Sequence, residues 1–339
     1  MANIFLRSPY NISQAQQGAG LSVSLIIEID GVEAYSLVKN KTATSSVVLF
    51  EVAELIRDYL YPKYNGNTVA SDFNNVIVLT YTWKSGLNGT GTTEGTPLVV
   101  NAFGIDAYGY FEDGSNPTTT KGYMQSNQTI YCLPQTSLKI PIDRNNTTNI
   151  DFFDEGTQTD TQTITPSATE VFEYITVQTG DADELRITTT DGLKTVKIIT
   201  IDECKYTPHR VSFINRWGAI QDLWFFKKAI QGLTISKENF KSSSITSTGS
   251  YSTTEHQQKT FNVISKEKIT LNSGYVSQEY NAPMQELMQS EQVWMEVYGV
   301  VTPMTVTDSS FTFKTSLNDK LVDYKLQLDY AFDSINNIR

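Results

Sequence analysis

Four large apolar side chains follow one another in the segment RWGAIQDLWFFKK, residues 216–228. A strand explains this run better than a helix, because the flanking strings VSFI and LWFF then border a glycine-containing hairpin connection. Along a strand, Leu223 and Phe225 face one way and Trp224 and Phe226 the other, so both faces are apolar. Covering one such side chain stabilises a protein by roughly 1.5–3 kcal/mol, so each face needs a covering layer.

Two explanations account for this double-sided strand. One is a core within the chain, in which a second sheet or the helix predicted at 283–291 covers it. The other is a subunit interface, because exposed aromatic patches mark contact sites. The interface hypothesis assigns the contact to Trp217, Leu223, Trp224, Phe225, Phe226, Phe311, Phe313 and Tyr324.

Short strands punctuated by turn residues fill much of the chain. The segment LSVSLIIEIDG, residues 21–31, alternates and ends in Asp30-Gly31, a dipeptide typical of a type I′ hairpin turn. It places on one side Val23, Leu25, Ile27 and Ile29. A second Asp-Gly pair lies at 191–192. Strands at this spacing predict a mainly β fold with a minor α+β character: antiparallel β-sandwich or barrel domains with one or two short helices.

Two segments have helical periodicity. Residues 47–64 predict a strand at 46–50 followed by a short helix that Pro62 ends. The string NAPMQELMQSE predicts the second helix, with Asn281 as its cap and Pro283 in its first turn. Beyond it, the alternating residues on either side of 317–320 predict a terminal hairpin.

The composition of successive stretches predicts three parts. Residues 1–130 form an N-terminal β-sandwich domain, and residues 131–205 form a Thr- and Asp-rich β segment that connects or elaborates its neighbours. Residues 206–339 form a C-terminal β domain with the flanking helix 283–291 and the terminal hairpin.

The charge and the apolar runs exclude several classes of partner. The net charge is −11 and no basic run is longer than Lys227-Lys228, which argues against nucleic acid. No apolar run reaches about 18 residues, so we expect no membrane span, and the N-terminus shows no secretory signal. Cys132 and Cys204 are too far apart in sequence for a zinc-binding motif, and we expect neither a cofactor nor a metal ion.

The residue types that carry catalysis are sparse. The two histidines, His209 and His256, lie in polar contexts, and no phosphate-binding, nucleophile-elbow or zinc-protease motif occurs. Carboxylates are dense at 143–160, where a calcium site is one hypothesis and a solvated acidic loop the other. A hydrolase using Asp151 or Asp154 is a third class of function. We predict that the chain is not an enzyme.

Five strings carry a resemblance: residues 209–230, 256–294 and 312–339, together with residues 4–10 and 49–60. They resemble virion structural, tail-associated proteins of tailed phages that infect Bacteroidota, and the element pattern is more loosely similar to tail-tube and distal-tail ring proteins. The resemblance implies a non-enzymatic subunit of a tail or connector ring, assembled in the host cytoplasm into the virion. Its partners would be copies of itself and neighbouring virion proteins.

A binding module is the alternative function. Aromatic side chains beside flexible polar loops suit sugar rings and hydroxyls, which predicts a receptor- or glycan-binding β-sandwich adhesin on the virion or cell surface. The loop tips GLNGTGTTEGTP, residues 86–97, and FEDGSNPTTTKG, residues 111–122, would then contact host surface glycan.

Overall fold

The computed structural model describes most of the chain. The described residues are 2–15, 22–40, 47–66, 76–86, 98–117, 122–190, 192–310, 312–314 and 321–335. Strands make up 55% of the described residues and helices 7%. The strands form several antiparallel sheets, and the helices are short, so the predicted fold class is confirmed.

In chain order, the first strands are β1 Ala2–Phe5, β2 Asn11–Ala15, β3 Ser22–Ile29, β4 Val32–Asn40, β5 Val47–Glu51, β6 Val76–Gly86 and β7 Leu98–Ile105. The middle strands are β8 Thr129–Cys132, β9 Ser137–Asp143, β10 Thr148–Asp154, β11 Thr157–Ile164, β12 Phe172–Gln178, β13 Glu184–Thr189 and β14 Gly192–Thr200. The last are β15 His209–Ile214, β16 Ile220–Phe225, β17 Lys227–Lys241, β18 Gln258–Asn272, β19 Val276–Ser277, β20 Val293–Val297, β21 Val300–Val306, β22 Leu321–Val322 and β23 Lys325–Tyr330. The helices are α1 Ala53–Arg57 and α2 Asn281–Gln289.

The first sheet has the order β1-β7-β6-β3-β4. The predicted hairpin between β3 and β4 is present, and Asp30 and Gly31 have φ angles of 52° and 79°, as a type I′ turn requires. The four alternating side chains predicted to share a face of β3 are all buried. The predicted strand followed by a helix is also confirmed, as β5 and α1.

Two sheets form the middle of the chain, with the orders β11-β10-β13-β14-β8 and β12-β9. Strands β13 and β14 form the antiparallel hairpin predicted around the second Asp-Gly pair, of which residue 191 lies outside the described residues. Strand β11 lies at one end of its sheet, and nearly all its side chains are exposed.

The last large sheet has seven strands in the order β16-β15-β20-β21-β23-β18-β17. Strands β15 and β16 pair antiparallel around the connection predicted at residues 215–218, which in the structure also includes Ala219. Within that turn, the buried Asn215 accepts hydrogen bonds from the backbone N–H groups of Trp217 (3.0 Å) and Ala219 (3.1 Å). Its amide also donates to the carbonyl of Met124 at 2.7 Å, which ties this turn to the segment before β8.

Helix α2 differs from its prediction at its start. Asn281 is the first helical residue rather than the cap, because a 3-10 turn at Gln278–Tyr280 leads directly into the helix. The Asn281 side chain instead donates to the carbonyl of Lys314 at 3.0 Å and accepts a hydrogen bond from the Tyr324 hydroxyl. It therefore fixes the C-terminal segment against the helix.

The predicted terminal hairpin is wrong for the described residues. Residues 312–314 are not in a strand, and β22 pairs with β19. Strand β23 has a neighbour on each side, β18 and β21. It therefore offers no open edge to another molecule.

The apolar side chains gather in cores that cross the predicted boundaries. The largest includes side chains of β8–β14 together with others from β15–β23 and α2. A smaller core joins Phe5 and Phe103 of the first sheet to Phe172 of β12 and to Trp217. The turn containing Gly218 thus packs against the first sheet, and all three parts meet there.

Candidate functional site: a projecting hairpin

The aromatic run is enclosed by its own chain. Of the side chains predicted to form a subunit interface, six are at most 9% exposed: Trp217, Leu223, Trp224, Phe225, Phe226 and Tyr324. A side chain already enclosed has no surface left for another copy, so the structure corrects the interface prediction at these six positions. Phe313 is 58% exposed, and its part in an interface stays a prediction. Phe311 lies outside the described residues.

Both faces of the aromatic strand β16 are covered from within. The Trp224 and Phe226 rings stack with centroids 6.4 Å apart, and the Tyr280 hydroxyl donates to the Trp224 carbonyl at 2.9 Å. Side chains from β8, β9 and α2 belong to the same core, including Ile130, Ile140 and Met284. The covering layer therefore consists of strands from the two middle sheets together with the helix, which is a core within the chain, the first of the two explanations above.

Eight exposed large apolar side chains lie instead on strands β17 and β18 and the segment between them, called the hairpin below (residues 227–272). Each strand is 15 residues long. Among the described residues, only Lys268–Asn272 of β18 pairs with β23. Beyond it, the Ser334 N–H donates to the Ser265 carbonyl at 2.8 Å, and further out β17 and β18 pair just with each other. The hairpin therefore extends past its sheet as a two-stranded ribbon.

Apolar side chains alternate with polar ones along this ribbon. Those between 37% and 71% exposed are Ile230, Leu233, Ile235, Phe240, Ile245, Tyr251, Phe261 and Val263. Leu233 and Ile235 share one face of β17, and Phe240 lies on the other, so both faces carry exposed apolar side chains. Isolated two-stranded ribbons are marginally stable in water.

Local interactions nevertheless give the hairpin a defined shape. The pairing of β17 with β18 shifts register beside Asn262, whose φ of 48° lies in the left-handed region that Asn tolerates. Phe240 and Phe261 pack edge to face with ring centroids 5.6 Å apart. Near the tip, Ile245 and Tyr251 form an isolated β-bridge. The ribbon thus presents a preformed surface.

A second surface surrounds the turn at residues 110–116, within one of the two predicted loop tips. Phe111 begins a 3-10 turn and is 98% exposed. The turn is rigidly held: the Tyr110 N–H donates to Asp113 Oδ2 at 2.7 Å, and the Asn116 amide donates to the carbonyls of Phe5 (2.8 Å) and Ser8 (3.1 Å).

Arg216 braces the same turn, forming an ion pair with Asp113 at 3.4 Å and lying 4.5 Å above the Tyr110 ring. Beside the turn lies a groove of about 850 Å³, whose lining includes Tyr10, Asn11, Tyr110, Phe111, Ser115 and Asn116. Residues 87–97 of the other predicted loop tip lie outside the described residues.

The side chains considered for catalysis or metal binding form ordinary surface contacts. Asp151 accepts hydrogen bonds from Thr161 Oγ1 (2.8 Å) and Gln158 Nε2 (3.2 Å) across the β10–β11 hairpin. Burial lowers the pKa of His209. Within the described residues, no group of three or more His, Cys, Asp or Glu side chains is arranged to hold a metal ion.

Two buried carboxyl groups have polar partners within the fold. Glu286 of α2 accepts hydrogen bonds from the Ser126 hydroxyl and from the backbone N–H of Arg216, and burial raises its pKa. Asp222 of β16 accepts a 2.5 Å hydrogen bond from Ser212, and its pKa is raised by burial although Arg210 lies 3.8 Å away. Both carboxyls connect strands or segments, which is a structural role.

No model of a known protein family matches the chain, and no curated protein matches it. Neither α1 nor α2, the helices within the described part of the chain, has the length and apolar character needed to cross a bilayer.

Proposed function

We propose that this chain is a non-enzymatic structural subunit of a bacteriophage virion, a tail or connector ring component that self-assembles through β-rich interfaces. The observation that carries the proposal is the hairpin, which projects from its sheet with exposed apolar side chains on both faces. The resemblance of residues 209–230, 256–294 and 312–339 to virion structural proteins supports placing this assembly in a virion.

Energetics support assembly through the hairpin. The eight apolar side chains named above are about half exposed. Covering them would contribute several kcal/mol, at roughly 1.5–3 kcal/mol for each fully buried large side chain. In the described part of the chain, β17 is the last strand of its sheet, and an open edge can pair with a strand of a neighbour. Contacts between different surfaces of identical subunits close into rings when the rotation permits.

Removing the outer hairpin tests the proposal. Residues 235–265 would be replaced by Asn-Gly, which joins the paired residues Thr234 and Lys266 through a two-residue turn. We expect the full chain to form a cyclic oligomer in native mass spectrometry and in negative-stain images. The shortened chain should be monomeric, with a melting temperature close to that of the full chain because the core lies elsewhere.

A milder variant separates assembly from folding. Phe240→Ser with Phe261→Ser should weaken the oligomer, whereas the matched control Val32→Ser with Leu193→Ser, which changes exposed apolar side chains in other sheets, should not. The proposal would be contradicted by a full chain that stays monomeric in solution at high concentration and that forms no oligomer within the particle.

The groove at Phe111 favours a second candidate function, recognition of host surface glycan. Sugar rings pack their C–H faces on aromatic rings, and their hydroxyls bond to amide and hydroxyl groups, the side-chain types that line this groove. A fully exposed aromatic ring on a braced turn is preorganised for such a contact, which lowers the entropy lost on binding.

A matched pair of aromatic substitutions tests this candidate. Phe111→Ser should reduce adsorption of the protein to host cells at least tenfold, while Tyr298→Ser, at the equally exposed turn between β20 and β21, should leave it unchanged. Equal adsorption by both variants and the unsubstituted chain would exclude glycan recognition at this groove.

A further inference from the structure

A cleft lies at the base of the hairpin, beside the part of the last sheet that supports it. Side chains from five strands line it, including His209 of β15, Ile269 of β18, Met295 of β20 and Tyr330 of β23, and the segment at residues 205–208 adds to the lining. Its volume is about 520 Å³. Because sites for small molecules occupy roughly 300–1,000 Å³, the cleft has the size of a small-molecule site.

The buried part of the lining is apolar and fixed. Ile269 and Met295 are each 1% exposed, Tyr330 is 9% exposed, and all three belong to the largest core. The packing of the sheet sets their positions, so the cleft is preformed. A preformed apolar surface favours a ligand with an apolar body, because the contact removes both surfaces from water.

The exposed part of the lining carries positive charge. Lys205 and Lys228 are both exposed, and among the described residues neither forms an ion pair. Lys227 differs from its neighbour, because its ammonium group lies 2.6 Å from Glu203. The Lys205 ammonium lies 5.2 Å from the centre of the Tyr206 ring, a second lining residue. Two cations of the lining are therefore open to an anion.

The carboxylates near the cleft leave these two lysines without a partner in the lining. Glu296 is the one acidic residue of the described lining, but along β20 it alternates with Met295 and Val297, which belong to the core side of the sheet. Its side chain lies on the opposite face, where Arg210 donates to it at 2.5 Å. Glu267 of β18 lies outside the lining, toward the tip of the hairpin, and is exposed.

Tyrosine side chains add ring surfaces and hydrogen-bond donors. Tyr206, Tyr298 and Tyr330 belong to the lining, and Tyr298 is 97% exposed on the turn between β20 and β21. Burial and the Glu267 carboxylate raise the pKa of Tyr330, so its hydroxyl keeps its proton at neutral pH. Aromatic rings pack on one another, and a phenol hydroxyl donates to a carboxylate oxygen.

We infer that the cleft binds a small aromatic carboxylate, with its ring against Met295 and Tyr330 and its carboxylate beside Lys205 and Lys228. The apolar body of such a molecule leaves water, while its charged end stays at the rim beside two cations. A neutral sugar would not use the lysines, and an inorganic anion would not cover the apolar surface.

The inference goes beyond the proposed self-assembly and does not depend on it. Residues 235–265, the outer part of the hairpin that carries the proposed assembly contact, do not line the cleft. A ligand in the cleft and a neighbouring subunit on the outer hairpin therefore use different residues.

The two histidines of the chain provide the readout. His209 lines the cleft, whereas His256 is exposed in the segment between β17 and β18. In nuclear magnetic resonance spectra of the full chain with isotope-labelled histidine, cinnamate added at pH 7 should shift the His209 signals and leave those of His256 in place. Cinnamamide, which has the same shape without the charge, should bind about fivefold more weakly, as the loss of two exposed ion pairs predicts.

A double substitution tests the two cations. Lys205→Gln with Lys228→Gln should weaken the binding of cinnamate about fivefold and leave that of cinnamamide unchanged. The matched control is Lys241→Gln with Lys259→Gln, which removes the same charge from exposed positions of the outer hairpin and should change neither affinity. All four lysines are exposed, so the melting temperatures of both variants should stay close to that of the unsubstituted chain.

Four results would each overturn the inference: His209 signals that do not move when cinnamate is added, a shift of the His256 signals instead, equal affinities for cinnamate and cinnamamide, or the same loss of cinnamate affinity in the control variant.

Discussion

At the scale of single residues, buried polar side chains hold segments of this chain together. Asn215 shows how: one 0%-exposed amide satisfies two backbone N–H groups in its own turn and a carbonyl of the segment before β8. Such a group is costly to remove, because its partners remain buried without hydrogen bonds. The sequence marks the turn through its neighbouring glycine, but it gives no sign that Asn215 also bonds to Met124, 91 residues away.

Asp143 gives a pH-dependent prediction at this scale. It is 1% exposed, and burial raises its pKa to about 6 against the partly offsetting hydrogen bonds from Asn145. A raised folded-state pKa means that the native protein binds the proton more tightly, so the contribution of this group to stability is lost as pH rises from about 4 to 6.

The comparison is between Asp143→Asn and the unsubstituted chain in urea unfolding at pH 4 to 7. As the pH rises across this range, the unfolding free energy of the variant should increase relative to that of the unsubstituted chain by about 2–3 kcal/mol, at 1.36 kcal/mol per pKa unit. Parallel stability curves would show that the carboxyl at position 143 is not perturbed.

At the scale of elements, turns decide where strands reverse. Two turn glycines show two different reasons why a turn needs glycine. Gly31 and Gly218 both have a φ of 79°. A Cβ at Gly31 would meet no atom within 4 Å, whereas one at Gly218 would lie 2.4 Å from Ile105 Cγ2. Local sequence accounts for the first glycine, and packing between distant segments accounts for the second.

The matched substitutions Gly31→Ala and Gly218→Ala measure the difference. Gly31→Ala should lower the unfolding free energy by about 1–2 kcal/mol, the cost of a left-handed backbone for a residue with a Cβ. Gly218→Ala should cost about 2–4 kcal/mol, since overpacking against the first sheet is added. Equal losses in thermal or urea unfolding would mean that the first sheet yields to the added methyl.

The hairpin is the element for which local pattern and tertiary role diverge. Its alternating Leu233, Ile235, Phe261 and Val263 have the same pattern as a strand packed on a core, and the sequence predicts strands there. The exposure of these side chains arises because the pairing of β18 with β23 ends at Lys268, and the described segment after β23 reaches β18 again at Ser265, short of Phe261.

At the scale of the whole molecule, the predicted segments share cores. Ile187 of the middle segment lies in the same core as Phe213 and Leu223 of the last sheet. All four tryptophans lie outside residues 131–205. Tryptophan fluorescence therefore reports on the unfolding of parts of the protein outside residues 131–205.

A core substitution in the middle segment tests this coupling. Ile187→Ala should lower the unfolding free energy by about 2–4 kcal/mol, and the unfolding midpoint seen by tryptophan fluorescence should fall together with that seen by circular dichroism. A fluorescence midpoint that stays in place while the circular dichroism signal splits into two transitions would show that residues 131–205 unfold independently.

The sequence alone determined the elements whose causes are local. The Asp30-Gly31 turn, the alternation of β3, and the strand-then-helix of 47–57 follow from backbone preferences and side-chain periodicity within a few residues. The mainly β class follows from many such elements. The double-sided strand at Leu223–Phe226 was likewise identified from its residues.

Only the tertiary structure decided which apolar surfaces are covered. Trp224 and Phe226 are enclosed, because a sheet and a helix from distant parts of the chain pack on them, whereas Phe240 and Phe261 project from the body. The two aromatic pairs have similar local sequence patterns. The sequence does not distinguish them, because burial depends on which segments meet in space. The same reason applies to Asn281 and β23, whose partners lie tens of residues away along the chain.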